Sequence, residues 1–104
     1  MQNKELLNRM SENSEEHNIR CLIEEMAELT QALCKRLRGK DNLDNIAEEM
    51  SDVVMMLQVT QKCIKVPPEL ISKWSKIKED HLTDWYFTRH RGEQYEDKLD
   101  DKSR

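Results

Sequence analysis

One acidic pattern occurs twice in this chain, and each copy lies inside a run of apolar residues that repeat with the period of an α-helix. The copies occupy residues 24–29 and 48–53, so they start 24 positions apart. Glu, Leu, Lys, Met and Gln, which favour helices, fill the segments between the few residues that interrupt them. The interrupting residues are Gly39, Gly92, Pro67 and Pro68. The pattern therefore predicts an all-α protein.

We predict an antiparallel bundle of about four helices, at residues 2–10, 14–38, 43–65 and 68–90. Gly39 is expected to end the second helix. Pro67 and Pro68 are expected to end the third helix and to open the fourth. The resulting single helical domain covers residues 1–90. Residues 91–104 are polar with little apolar periodicity and are predicted to form a disordered tail.

The composition limits both the core and the choice of partners. A chain of 104 residues, of which 37% are hydrophobic, builds a small core, so a second subunit is expected to complete it and we predict a homo-oligomer. The net charge of -4 disfavours nucleic acid, whose binding requires a basic face. No window approaches the roughly 18 apolar residues of a membrane span. An odd number of cysteines without CxxC spacing indicates a reduced, cytoplasmic protein.

Each copy of the acidic pattern places two carboxylates three residues apart, Glu25 with Glu28 and Glu49 with Asp52. At about 100° per residue, the first acid of each pair lies about 100° from the centre of its apolar stripe, and the second lies about 160° away on the same side. The acid that precedes each pair lies on the other side of the stripe. These outward acids are Glu24 and Glu48. The same geometry in both copies suggests the same role.

Four carboxylates brought together by two helices repel one another, and a cation would offset this repulsion. Ligands that are all oxygen suit a hard ion such as Mg²⁺ or Mn²⁺, whose coordination is commonly completed by substrate phosphates. An ordinary solvated helix face is the alternative for either pair alone, but the matched angles favour a metal site. A di-iron site needs Glu-x-x-His, and no Glu stands three residues before His17, His81 or His90.

The motifs Glu25-x-x-Glu28 and Glu49-x-x-Asp52 resemble the signature of the all-α nucleoside triphosphate pyrophosphohydrolases. This MazG-like superfamily includes the dimeric dUTPases and dCTPases. The resemblance covers about residues 17–60. It implies a MazG-like helical bundle assembled as a homodimer or as a homotetramer, a dimer of dimers.

The resemblance also implies an activity, namely the Mg²⁺-dependent hydrolysis of an NTP or dNTP to the nucleoside monophosphate and pyrophosphate. The metal ligands would be Glu25, Glu28, Glu49 and Asp52, with Mn²⁺ as a possible substitute for Mg²⁺. Glu25 or Glu49 would act as the catalytic residue that orients the attacking water. Neither nucleic acid nor a membrane takes part in such a reaction.

Basic residues that follow the first motif, and others on the last long helix, contact phosphates in the family. The resemblance therefore implies phosphate contacts for Lys35 and Arg38, and for Lys73 and Lys76. For both pairs, ordinary solvated side chains are the alternative. For the whole chain, the alternatives are a catalytically inactive nucleotide-binding module and a structural helical dimerisation module.

Overall fold

The computed structural model describes residues 1–89, and these residues form helices without any strand. The helices are α1 (Lys4–Ser11), α2 (Glu15–Leu37), α3 (Leu43–Ile64) and α4 (Pro68–Asp84), followed by a π-helical turn at Trp85–Arg89. The all-α prediction is confirmed, as is the number of helices. The predicted tail at 91–104 lies outside the described residues. None of the helices in residues 1–89 is long and apolar enough to cross a membrane.

The chain divides into two compact units, Met1–Val66 and a second unit that begins at Pro67. Helices α1, α2 and α3 form the first unit. Helix α4 and the π-helical turn belong to the second unit, where the indole of Trp85 is buried and its ring meets that of Tyr86 edge to face.

Local signals in the sequence set the helix boundaries of the first unit. The Ser14 hydroxyl accepts a hydrogen bond from the His17 N–H and so caps the start of α2. At the end of α2, Gly39 adopts a φ of 95°, a left-handed conformation that glycine tolerates best. The Gly39 N–H bonds to the Arg36 carbonyl and the Lys40 N–H to the Lys35 carbonyl. This pair of bonds is a Schellman motif, so the predicted stop at Gly39 is confirmed.

Helices α2 and α3 pack against each other along a contact that we call the α2–α3 seam. Its buried residues are Asn18, Ala32, Ile46, Met56, Val59 and Thr60. Near the connection between the helices, Asn42 Nδ2 donates to the Ala32 carbonyl at 3.0 Å. At the far end, Thr60 Oγ1 donates to the Asn18 carbonyl at 3.5 Å. These two contacts show that the helices run antiparallel, as a short connection requires.

Helix α1 packs against α3 and closes the end of the seam that is distant from the α2–α3 connection. Asn18 Nδ2 donates to the Met10 carbonyl at the end of α1, and the Cys63 thiol donates to the Asn13 carbonyl just beyond it. The Met1 ammonium donates to Gln58 Oε1 of α3. The contact of Cys63 holds the α1–α2 junction against the end of α3, and the contact of Met1 holds the start of the chain against the middle of α3.

Candidate metal centre

The two acidic motifs are placed symmetrically about the α2–α3 connection. Glu25 and Asp52 are equally distant in sequence from the peptide bond that precedes Gly39, and so are Glu28 and Glu49. In an antiparallel helix pair, residues at equal distances from the turn lie at the same level along the two axes. The motifs therefore face each other across the middle of the pair.

The structure brings together the four carboxylates that the sequence singled out. One carboxylate oxygen from each of Glu25, Glu28, Glu49 and Asp52 lies within 4.8 Å of the others. Within residues 1–89, this is the group of side chains whose ligand atoms are close enough to hold one metal ion, and neither outward acid of the motifs belongs to it. The convergence of four acids, rather than all six, agrees with the helical angles.

Two of the four carboxylates are held partly inside the protein. Glu25 Oε2 and Glu49 Oε2 are out of reach of solvent and have no hydrogen-bond partner. Glu28 is exposed, so the group is open on the side where this residue lies. None of the four forms an ion pair with a basic side chain anywhere in the described part of the chain. Buried carboxylate oxygens without a partner are costly, and each calls for a compensating ligand.

The environment raises the pKa of both inner carboxyl groups above the ordinary value of 4.5. For Glu25, loss of solvent is the largest cause, followed by the negative charges of Glu28 and Asp52. For Glu49, loss of solvent again comes first, followed by the charge of Glu28. In both cases, a hydrogen bond to Glu28, which needs a proton on one of the two carboxyl groups, raises the pKa further. The protein environment therefore disfavours the ionised forms of both carboxyl groups.

The donor set fits a small divalent cation. Oxygens bound to one Mg²⁺ lie roughly 3 to 4 Å apart, given metal–oxygen distances near 2.1 Å. The four ligand oxygens lie within 4.8 Å of one another, which is close to that range. Rotation of the flexible Glu side chains is enough to bring them to the distances that one ion requires. A cation here would also give the unpartnered oxygens Glu25 Oε2 and Glu49 Oε2 their missing ligand. Four carboxylates without nitrogen or sulfur favour Mg²⁺ or Mn²⁺ over softer metals.

The predicted phosphate contacts of the first unit lie near the α2–α3 connection. Lys35 follows Glu28 by two helical turns, on the same side of α2 and about 10 Å further along its axis. Arg38 is the C-terminal cap residue of α2. Both side chains are exposed, and neither forms an ion pair within residues 1–89. Lys35 and Arg38 are therefore free to meet an anion near the acidic site.

The other two predicted phosphate contacts lie in the second unit, on α4. Lys76 Nζ donates to Asp80 Oδ1 at 2.9 Å, and this hydrogen bond and the charge of Asp80 raise the pKa of Lys76. Lys73 Nζ lies 5.7 Å from the centre of the Trp74 ring, a cation–π distance. Both lysines thus have partners on α4 itself, and their role toward phosphate stays a prediction.

Asn42, at the start of α3, is a residue near the site that the sequence did not single out. Its Nδ2 donates a hydrogen bond to the Ala32 carbonyl, while its Oδ1 is buried and has no hydrogen-bond partner. It precedes Glu49 by two helical turns, so it lies on the same side of α3 as the acids. An Asn before a helix predicts capping, yet this side chain makes no cap hydrogen bond. Sequence gives no signal for its contact with α2.

No family model matches this chain, and comparisons with curated proteins and with solved structures find no match either.

Proposed function

We propose that this protein is a cytoplasmic, Mg²⁺-dependent nucleoside triphosphate pyrophosphohydrolase that converts an NTP or dNTP to the nucleoside monophosphate and pyrophosphate. The observation that carries the proposal is the meeting of four carboxylates from two helices within 4.8 Å. The resemblance of their motifs to the MazG-like superfamily supplies the reaction. Mn²⁺ is the expected substitute for Mg²⁺, and a homodimer or homotetramer is the expected assembly.

Each of the predicted site residues has a role in the proposed reaction. Glu25, Glu28, Glu49 and Asp52 hold the cation, which supplies neutralising charge for the triphosphate and a more acidic water. Glu25 and Glu49 are the candidates to orient the attacking water and accept its proton, because loss of solvent raises the pKa of each carboxyl group above its ordinary value. Lys35 and Arg38 are the proposed phosphate contacts near the connection, and Lys73 and Lys76 are the further candidates on α4.

A substrate panel tests the proposal. The protein is incubated with the common NTPs and dNTPs in the presence of Mg²⁺, and nucleoside monophosphate and pyrophosphate are measured. Glu49→Gln is expected to lower kcat by at least about 100-fold, as removal of a general base does. Glu48→Gln is the matched control, because it changes the neighbouring charge on the same helix and leaves the group of four intact. Full activity in Glu49→Gln, or no turnover of any nucleotide by the wild type, contradicts the proposal.

Calorimetry separates the alternative functions. A nucleotide-binding module without turnover would bind the Mg²⁺ complex of a nucleotide and release no pyrophosphate. A structural helical dimerisation module would show neither heat of binding nor a rise in melting temperature when Mg²⁺ and nucleotide are added, since only a ligand that binds the native state stabilises it.

A further inference from the structure

The first two turns of α2 carry a histidine and a cysteine that take no part in the group of four carboxylates. His17 and Cys21 stand four residues apart, so both side chains lie on the same side of the helix. Cys21 Sγ lies 3.6 Å from His17 Nε2. His17 is exposed and Cys21 is partly exposed, so an ion in solution can reach both atoms.

No other side chain in residues 1–89 competes for this pair. The contact between the two side chains is the only hydrogen bond or ion pair that either of them forms there. The basic residue beside them in the sequence, Arg20, is bound through Nη2 to Glu16 Oε1 at 3.2 Å. A thiol takes part only weakly in hydrogen bonds, so a metal ion readily displaces the contact between Cys21 and His17. Both ligand atoms are therefore available.

The separation of the two atoms is that of two ligands on a tetrahedral zinc ion. Zn²⁺ binds Cys sulfur at about 2.3 Å and His nitrogen at about 2.0–2.1 Å, with ligands roughly 109° apart. These values place the sulfur and the nitrogen about 3.6 Å from each other. The distance between Cys21 Sγ and His17 Nε2 is also 3.6 Å. One ion can therefore bind both atoms after only small rotations of the two side chains.

Ligand chemistry separates this pair from the carboxylate site. Carboxylate oxygens favour hard ions such as Mg²⁺, whereas a thiolate and an imidazole favour Zn²⁺. Within residues 1–89, the four acids are the group that offers three or more ligands to one ion, and His17 with Cys21 offers two. Cys21 precedes Glu25 by about one helical turn, so the two sites are neighbours along α2 without sharing a residue.

We propose that His17 and Cys21 form a second metal site, which binds Zn²⁺ through Cys21 Sγ and His17 Nε2. Binding releases the thiol proton to solvent, and the thiolate offsets one of the two positive charges of the ion. Closed structural zinc sites use four protein ligands. This pair supplies two, so water completes the tetrahedron and the bound zinc exchanges with zinc in solution. The site does not depend on the proposed hydrolysis of nucleotides.

Titration with Co²⁺ tests the site, because Co²⁺ adopts the tetrahedral geometry of Zn²⁺ and gives a near-ultraviolet charge-transfer absorption when a thiolate binds it. Excess Mg²⁺ occupies the carboxylates throughout, and a reductant without thiol groups keeps the cysteines reduced. We expect the wild type to gain this absorption up to one Co²⁺ per chain and to lose it when Zn²⁺ is added. Cys21→Ser is expected to abolish the absorption. His17→Gln is expected to weaken Co²⁺ binding at least about 10-fold, since loss of even an outer-shell partner of a metal ligand costs that much.

Two matched controls come from the same chain. Cys34 is an exposed cysteine of α2 without a histidine four residues away, so Cys34→Ser is the control for the thiol. His81 is an exposed histidine without a cysteine four residues away, so His81→Gln is the control for the imidazole. Both variants are expected to titrate like the wild type. The double variant Glu25→Gln/Glu49→Gln is also expected to keep the absorption, which separates a failure of this site from a failure of the proposed hydrolase.

A wild type without thiolate absorption at one equivalent of Co²⁺ overturns the proposal. An absorption that Cys34→Ser removes and Cys21→Ser keeps overturns it as well. Should Cys21→Ser lose its helical circular dichroism, X-ray absorption at the zinc edge of the wild type decides. With one Zn²⁺ per chain and excess Mg²⁺, we expect one sulfur at about 2.3 Å among nitrogen and oxygen ligands. A shell of oxygen alone, or one with two sulfurs from two chains, contradicts the proposal.

Discussion

Glu25 of α2 and Glu49 of α3 offer carboxylate oxygens within 4.8 Å of one another, and each also keeps its Oε2 buried and without a hydrogen-bond partner. Two acids in this relationship compete for protons and are stabilised by any cation that reaches both. The relationship connects folding with ligand binding. The carboxylates that repel one another in the folded protein together attract a cation.

Added Mg²⁺ is expected to stabilise the native protein through the four carboxylates. At about 100 times its Kd, a ligand specific for the native state contributes about 2.7 kcal/mol, which corresponds to a rise of roughly 10 °C in Tm for a domain of this size. Glu25→Gln and Glu49→Gln are expected to lose most of this rise in a thermal unfolding experiment. Glu24→Gln and Glu48→Gln are the paired controls, and an equal loss in these controls would show that Mg²⁺ only screens surface charge.

Without metal, Glu25→Gln and Glu49→Gln are expected to be more stable than the wild type. Each substitution removes repulsion among the four acids and keeps the shape of the side chain. The gain is expected to be small, roughly 1–3 °C in Tm at neutral pH, in line with the repulsion of like charges on a helix. Thermal unfolding in EDTA measures it. A fall in Tm for both variants would indicate that the acids stabilise the protein by other contacts.

The metal-free stability is expected to depend on pH in a defined direction. Because the folded pKa values of Glu25 and Glu49 are raised above 4.5, the folded state keeps its protons to higher pH than the unfolded state does. The stabilising contribution is complete below the ordinary Glu pKa and is lost as the pH rises through the raised values. The Tm advantage of the double variant Glu25→Gln/Glu49→Gln should therefore be smallest near pH 4.5 and should grow toward pH 8. A constant difference across this range would contradict the raised pKa values.

Sequence periodicity predicted much of this structure, because the helices follow from helical spacing, and the four acids converge through that spacing together with the short connection at Gly39. Periodicity did not predict which side of each helix would be buried against the other helix. Met26 and Met50, at the stripe centres, are 42% and 48% exposed, whereas Ala32 is only 2% exposed. Periodicity identifies an apolar side of a helix but not the element that packs against it. For the same reason, it gave no sign of the contact between Asn42 and Ala32, which depends on the path of the connection.

Lys35→Ala is expected to weaken substrate binding if the proposed activity is correct. Loss of one charge-assisted contact to a phosphate costs about 1.5–3 kcal/mol, so KM should rise by roughly 10-fold or more with little change in kcat. Arg36→Ala is the matched control. Arg36 is the next residue on α2, and its Nη1 lies 3.7 Å from Asp41 Oδ1, so this side chain already has an acidic partner. Steady-state kinetics on the best nucleotide of the panel measures both variants. Equal KM values for the two variants would show that Lys35 is an ordinary solvated side chain without a phosphate contact.

Gly39→Ala is expected to destabilise the first unit by about 1 kcal/mol, because the left-handed conformation is costly for a residue with a Cβ. No atom lies within 4 Å of the position that a Cβ would take, so backbone strain is the only cause. Lys65, at the end of α3, adopts the same conformation with a φ of 68°. Lys65→Gly is therefore expected to have the opposite sign. Urea unfolding measures both, and a neutral Gly39→Ala would show that the turn adjusts.

The position of the turn at Gly39 also restricts what the chain can tolerate between its acidic motifs. One residue added within α2 or α3, between the turn and an acid, rotates that acid by about 100° and moves it about 1.5 Å along the axis. The segment between Glu28 and Glu49 is therefore constrained in length far more than in composition. A single insertion within either helix there is expected to separate the carboxylates, although the sequence still contains every acid and both segments still form helices.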